Sequence, residues 1–129
     1  MANDPSDLKY TKEHEWTRIG DSTVVIGVTH HAQEALGDVV YVELPKVGDT
    51  ITAGTSFGVI ESTKAVSELF APVTGKVVKV NDALTSDPSV VNTDPYQAGW
   101  IAEVELADRS QLDGLLDVAA YQAHVDAGG

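Results

Sequence analysis

Phe57-Gly58-Val59-Ile60-Glu61-Ser62-Thr63-Lys64-Ala65-Val66-Ser67-Glu68-Leu69-Phe70 consists of two strand-like runs, Phe57 to Glu61 and Val66 to Phe70, meeting at a polar tip. Branched and aromatic residues favour a half-buried pleated surface, and the tip between them reads as a hairpin turn. Lys64 sits there between Thr63 and Ala65. A lysine displayed this way has a reachable amine and little packing to lose. That suits a covalent handle better than a core position or a catalytic pocket. Taken alone, however, hairpin tips are commonly polar, and an isolated turn lysine only keeps a protein in solution. The rest of the chain has to decide.

Outward from the tip, most of the chain alternates like strands punctuated by turn chemistry. Thr23 to Val28 is a β-branched run after Gly20-Asp21-Ser22, and Val39 to Leu44 alternates until Pro45 ends it. Ile51, Lys76 to Val80 and Trp100 to Leu106 are further strand candidates, separated by Gly48-Asp49, Ala53-Gly54, Thr74-Gly75 and Asn81-Asp82. Three short helices are expected. One spans His30 to Leu36, with Thr29 as N-cap, Gly37 as stop and Ala32, Ala35 and Leu36 facing inward. Asp108 with Gln111 reads as a capping box ahead of Leu112, Leu115 and Leu116, and Asp117 caps a last segment through Tyr121 and His124. Val47-Gly48-Asp49-Thr50-Ile51 is echoed by Val80-Asn81-Asp82-Ala83-Leu84, with Thr85 to Gly99 reading as an insertion in the second copy. Two similar half-sheets packed face to face would then form a flattened barrel or sandwich, joined at one end by the Lys64 hairpin.

The chain has 129 residues and 43% hydrophobic content, which fits one domain over residues 1–129 with its core at about 8–121. The ends, 1–7 and 126–129, are expected to be mobile. Twenty acidic against eight basic residues give a net charge of −12. That sign repels phosphate backbones and anionic lipid, so neither nucleic acid nor a membrane surface is an expected partner. Absence of cysteine excludes disulfides, a cysteine nucleophile and thiolate metal sites. No apolar run approaches the ~20 residues of a membrane span. Met1 to Asp7 lacks the character of a secretory or organelle signal, so a cytoplasmic, bacterial location is expected, with a processed mitochondrial form as the alternative.

Gly58-Val59-Ile60-Glu61-Ser62-Thr63-Lys64-Ala65, followed by Ala71-Pro72-Val73-Thr74-Gly75, resembles the swinging-arm hairpin of lipoyl domains. More narrowly, three further motifs resemble H proteins of the glycine cleavage system. They are Tyr10-Thr11-Lys12-Glu13-His14-Glu15-Trp16, His31 through Val40, and Val91-Asn92-Thr93-Asp94-Pro95-Tyr96 on to Gly99-Trp100. The likeness runs from about Leu8 to Tyr121. A biotinyl carrier would be expected to place methionines beside the lysine, where this chain has Thr63 and Ala65. The resemblance implies a mostly β, flattened barrel-sandwich lipoyl-domain fold with a short internal helix and a helical C-terminal tail. It further implies a non-enzymatic carrier with lipoic acid in amide linkage on Lys64, and with Glu61, Ser62, Thr63 and Ala65 read by the lipoate-attaching enzymes. The implied partners are the pyridoxal-phosphate glycine decarboxylase, the tetrahydrofolate-dependent aminomethyltransferase, and a dihydrolipoamide dehydrogenase using FAD and NAD.

A loaded aminomethyl arm is open to loss of its amine to water, so a resting cleft on the carrier is expected. Glu15 would pair with the terminal ammonium, Val28, Ala32 and Leu36 would form an apolar wall, and Glu68 is a further candidate anion. Some relatives carry an imidazole where this chain has Ala35. Gly54-Thr55-Ser56-Phe57-Gly58 matches a hydrolase elbow pattern, but strand-like sequence follows it where a helix is required. The adjacent His30 and His31 cannot share a helix face, so the four histidines form no expected metal set. Two rival carrier functions stay in view. One is a reservoir that donates lipoate to other carriers, and the other is an acyl-carrying module of a 2-oxoacid dehydrogenase; the helical segments argue against the latter.

Overall fold

The computed structural model describes residues 4–128. In chain order the elements are β1 (Lys9–Tyr10), β2 (Glu15–Ile19), β3 (Thr23–Val28), α1 (His30–Leu36), β4 (Val39–Glu43), β5 (Thr50–Ile51), β6 (Ser56–Ser62) and β7 (Val66–Phe70). They continue with β8 (Gly75–Val80), α2 (Ala83–Ser86), α3 (Val90–Thr93), β9 (Ala102–Leu106), a 3-10 helix (Arg109–Gly114) and α4 (Val118–Asp126). The strands make an antiparallel six-stranded sheet, ordered β1-β2-β3-β9-β8-β5, and a three-stranded sheet, ordered β4-β6-β7. The two sheets do not close into a barrel. Among the described residues no helix is long and apolar enough to cross a membrane.

Alternation creates the core. In β3, Val24 and Ile26 point inward with no exposed surface, and in β8 Val77 is buried between exposed Lys76 and Val78. Each fully buried aliphatic side chain of this kind contributes roughly 1.5–3 kcal/mol. Val28, Val42, Ile60, Leu69 and Ala102 pack in a cluster drawn from both sheets, which fixes the small sheet against the large one. A separate aromatic layer, Tyr10, Trp16, Tyr96 and Tyr121 with Leu8, lies where the C-terminal helix meets the first strands. Tyr10 and Tyr121 stack at 4.7 Å, and a bridge between Tyr10 and Leu116 ties the start of the chain to its end.

Several sequence expectations need correction. The halves are unequal, six strands against three, and the Lys64 hairpin lies wholly inside the small sheet instead of joining the two. The second copy of the echo ends in the helical turn α2, where the first ends in β5, and the strand expected beyond the insertion is β9. Lys9–Tyr10 and Glu15–Ile19 form strands that went unread, because Glu15, Trp16 and Thr17 are all buried and the two-residue period is lost there. The last strand starts at Ala102 and not at Trp100. Helix α1 has the expected cap and stop, with Thr29 Oγ1 accepting from the Ala32 N–H and the Gly37 N–H donating to the Gln33 carbonyl. Its buried residue is Gln33, whereas Ala35 is exposed. Asp108 caps the 3-10 helix through the Ser110 N–H, but Gln111 reaches across to Thr74 and completes no capping box. Asp117 caps α4 as expected. Of the ends, residues 1–3 and 129 lie outside the described residues, while the Pro5 carbonyl accepts from the Tyr10 hydroxyl and Asp4 accepts from Tyr96.

Candidate functional site

The β6–β7 register, Ile60 opposite Ser67 and Glu61 opposite Val66, leaves Ser62 to Ala65 as a tight turn. Ser62 closes that turn. Its N–H donates to the Ala65 carbonyl at 2.8 Å, and its hydroxyl oxygen accepts from the amides of Lys64 and Ala65 at 3.3 and 3.1 Å. The local hydroxyl competes for backbone donors that a strand would otherwise offer its neighbour, which is why serine suits this corner. Thr63, Lys64 and Ala65 are exposed, and among the described residues the Lys64 ammonium has no ion-pair or hydrogen-bond partner. Among the described residues, then, no hydrogen bond or ion pair that shapes the turn comes from the lysine head group.

The tip rests on the junction between α1 and β4. The Thr63 N–H donates to the Asp38 carbonyl at 3.0 Å. Gly37 adopts φ +80° and ψ −154°, a region open almost only to glycine. A Cβ there would lie 3.5 Å from Lys64 Cε, so the lysine stem lies along the bare glycine backbone.

At the other end of β7, the Phe70 N–H donates to Glu15 Oε2 at 3.3 Å. Glu15 is only 2% exposed and accepts on Oε1 from the Thr11 hydroxyl at 2.6 Å. One carboxyl thus links β2 of the large sheet to β7 of the small one. Burial pushes it up to about 7, against the opposing pull of the Thr11 and Phe70 hydrogen bonds. The preceding residue, His14, holds φ +72° and shares a 2.7 Å hydrogen bond with the Tyr121 hydroxyl, which also bonds Thr29. Burial, with His31 and His124 nearby, lowers His14 to about 4.

These adjacent groups oppose one another. Glu15 ionises first in the unfolded chain, so its contribution to stability is lost as pH rises from 4.5 through 7. His14 takes its proton first in the unfolded chain, so its contribution is lost as pH falls from 6.5 through 4. Between pH 4.5 and 6.5 the two slopes cancel. Urea midpoints of the parent should be nearly flat there, rise with pH in Glu15→Gln and fall with pH in His14→Asn. Three parallel profiles would refute this pairing.

Residues 8–127 match the model of the glycine cleavage H-protein family. The glycine cleavage system H protein of Myxococcus xanthus is 70% identical over 121 residues, covering 94% of each chain. That of Escherichia coli O7:K1 is 52% identical over 124 residues, covering 95% of this chain and 96% of that one. A solved H protein from Mycobacterium marinum superposes with a TM-score of 0.89 at 43% identity, covering 95% of this chain and 99% of that one. The chain belongs to the glycine cleavage H-protein family.

In this H-protein family chain, the residues singled out from sequence fall into two groups. Glu61, Ser62, Thr63 and Ala65 surround Lys64 at one end of the small sheet. Glu15 stands opposite Val28 in the β2–β3 ladder, both buried, while Ala32 and Leu36 are half-buried against the same core cluster. Glu68 is exposed on β7, two residues before the Phe70 amide that Glu15 holds. Sequence reasoning missed Thr11 as the hydroxyl partner of Glu15, although its spacing of four residues across the Lys12-Glu13 turn was open to inspection. It also missed that His14, His31 and His124 gather, with ring centroids 4.5 and 5.9 Å from His14. Among the described residues no group of three or more potential ligands is arranged to hold a metal ion.

Proposed function

We propose that this chain is the lipoate-bearing carrier of a glycine cleavage system, with Lys64 as the attachment point. The observation that carries the reading is an exposed lysine, unpartnered among the described residues, on a turn whose geometry is held by its neighbours, in a chain of this family. The residues suit the group: acylation neutralises an ammonium with no ion-pair or hydrogen-bond partner among the described residues, and the stem already lies along Gly37. When bound, the group supplies a dithiolane able to accept the aminomethyl fragment of glycine and a dithiol that can be reoxidised.

The chain's own residues anchor, orient and shelter. Ser62 and Asp38 fix where the tether starts, so encounters with each partner site occur at high effective concentration. The partners we assign are glycine decarboxylase, the aminomethyltransferase, dihydrolipoamide dehydrogenase and the lipoate-attaching enzymes, the last reading Glu61, Ser62, Thr63 and Ala65 around Lys64. The proposed location is the cytoplasm. Ala32, Leu36 and Glu68 are reachable as they stand, whereas Glu15 and Val28 are buried, so docking at Glu15 requires local opening. A terminal ammonium beside Glu15 would favour its carboxylate form and compensate for burial.

The direct test is intact mass before and after incubation with a lipoate ligase, then glycine-dependent loading with purified partner enzymes. One lipoyl adduct on Lys64 and loading that needs glycine are expected. An adduct without loading would point to the reservoir role. Glu15→Gln should release the loaded amine several-fold faster than the parent, and release at the parent rate would remove the docking role of Glu15.

A further inference from the structure

Thr85 to Gly99 reads from sequence as an insertion, and it carries a polar side chain bonded three times to α1 and the junction beneath the lysine tip. Asn92, on α3, donates through Nδ2 to the Gly37 carbonyl at 2.8 Å and to Gln33 Oε1 at 3.0 Å. Its Oδ1 accepts from the Val39 N–H at 2.8 Å. The asparagine therefore grips the residues on both sides of Asp38, and the Asp38 carbonyl is the one that accepts from Thr63.

The grip falls beside an irregularity in the small sheet. The β4–β6 register shifts between Val39 and Tyr41, so a bulge interrupts the ladder at the level where the hairpin tip begins. Ser62 closes the turn on itself and stands opposite Val39 as the last pair of the β4–β6 ladder. A second tie runs from Asn92 through Gly37-Asp38-Val39 to Thr63, with the Lys64 stem lying over Gly37. An apolar side chain could pack the α1–α3 seam, but only a group with both a donor and an acceptor can hold Gly37 and Val39 together.

We infer that Asn92 is a positioning residue for the Lys64 tip, clamping the α1–β4 junction so that the attachment lysine is presented in one orientation. The inference rests on Lys64 being the attachment point. Failure of that reading would show as a parent chain that gains no lipoyl mass, whatever Asn92 does.

The test uses Asn92→Asp, which keeps an acceptor for Val39 and loses the donor, and Asn92→Ala, which loses both. Amide exchange is read by NMR on the full apo chain, and ligase kinetics are measured with lipoate. Exchange at Thr63 should accelerate about tenfold in either variant, while Val77 and Val104 in the large sheet keep parent rates. The KM of the ligase for the chain should rise about fivefold with kcat unchanged, since a smaller fraction of tips is competent at any moment. Thr63 exchanging at the parent rate in both variants would overturn the inference. So would acceleration of Thr63, Val77 and Val104 together, or loss of the fold, because Asn92 would then merely stabilise the whole.

Discussion

A Lys64→Arg chain should fold as the parent does and gain no mass when incubated with a lipoate ligase and lipoate. Arginine keeps the charge and the long stem, and its guanidinium stays protonated far above any working pH, so it is no acyl acceptor. Nothing in the turn depends on the lysine: Ser62 provides the closing hydrogen bonds, and Lys64 is exposed. Stability should stay within about 0.5 kcal/mol of the parent, the range of surface substitutions. Glycine-dependent loading should fall to background. A lipoyl adduct on the variant would move the attachment point to another lysine, such as Lys46 or Lys76, and would end the assignment of Lys64.

A large loss of stability is expected from Gly27→Ala. Gly27 pairs with Trp16 across the β2–β3 ladder, and a Cβ on it would lie 2.4 Å from two atoms of the indole ring. The ring has no room to retreat. Trp16 is fully buried, its Nε1–H donates to the Pro95 carbonyl at 2.9 Å, and the Arg18 guanidinium lies 5.0 Å from the ring centroid. Relief requires opening the ladder or breaking the indole hydrogen bond, at a cost of about 3 kcal/mol. A urea midpoint and the near-ultraviolet tryptophan signal should both report it. Gly114→Ala is the control: nothing lies within 4 Å of a Cβ there, so its midpoint should barely move. Equal midpoints for the two variants would show that the indole yields.

The lysine hairpin was legible because each of its signals is local. Two branched runs and a polar tip need no distant partner to be recognised, and α1 was legible for the same reason, its cap and stop lying within a few residues. What stayed hidden depends on contacts far apart in sequence. Buried Glu15 accepts from the Phe70 amide, 55 residues away, and no local pattern distinguishes that glutamate from a solvated one. Gln111 was misread for the same reason, since its partner Thr74 lies 37 residues back. Asn92 was visible only as part of a motif; its bonds to residues 33, 37 and 39 exist once α3 packs beside α1. The unequal sheets were obscured because the hydrophobic echo marks turns, and turns do not say which strands will pair.

The stitching of Tyr10 to Leu116 and Tyr121 has a bearing on how the molecule is made. In the large sheet β3 pairs with β9, so the amino-terminal strands wait for a neighbour that begins at Ala102. A ribosome must release nearly the whole polypeptide before that sheet can assemble. The β6–β7 hairpin can form much earlier, so the Lys64 turn is shaped while its foundations are still being synthesised.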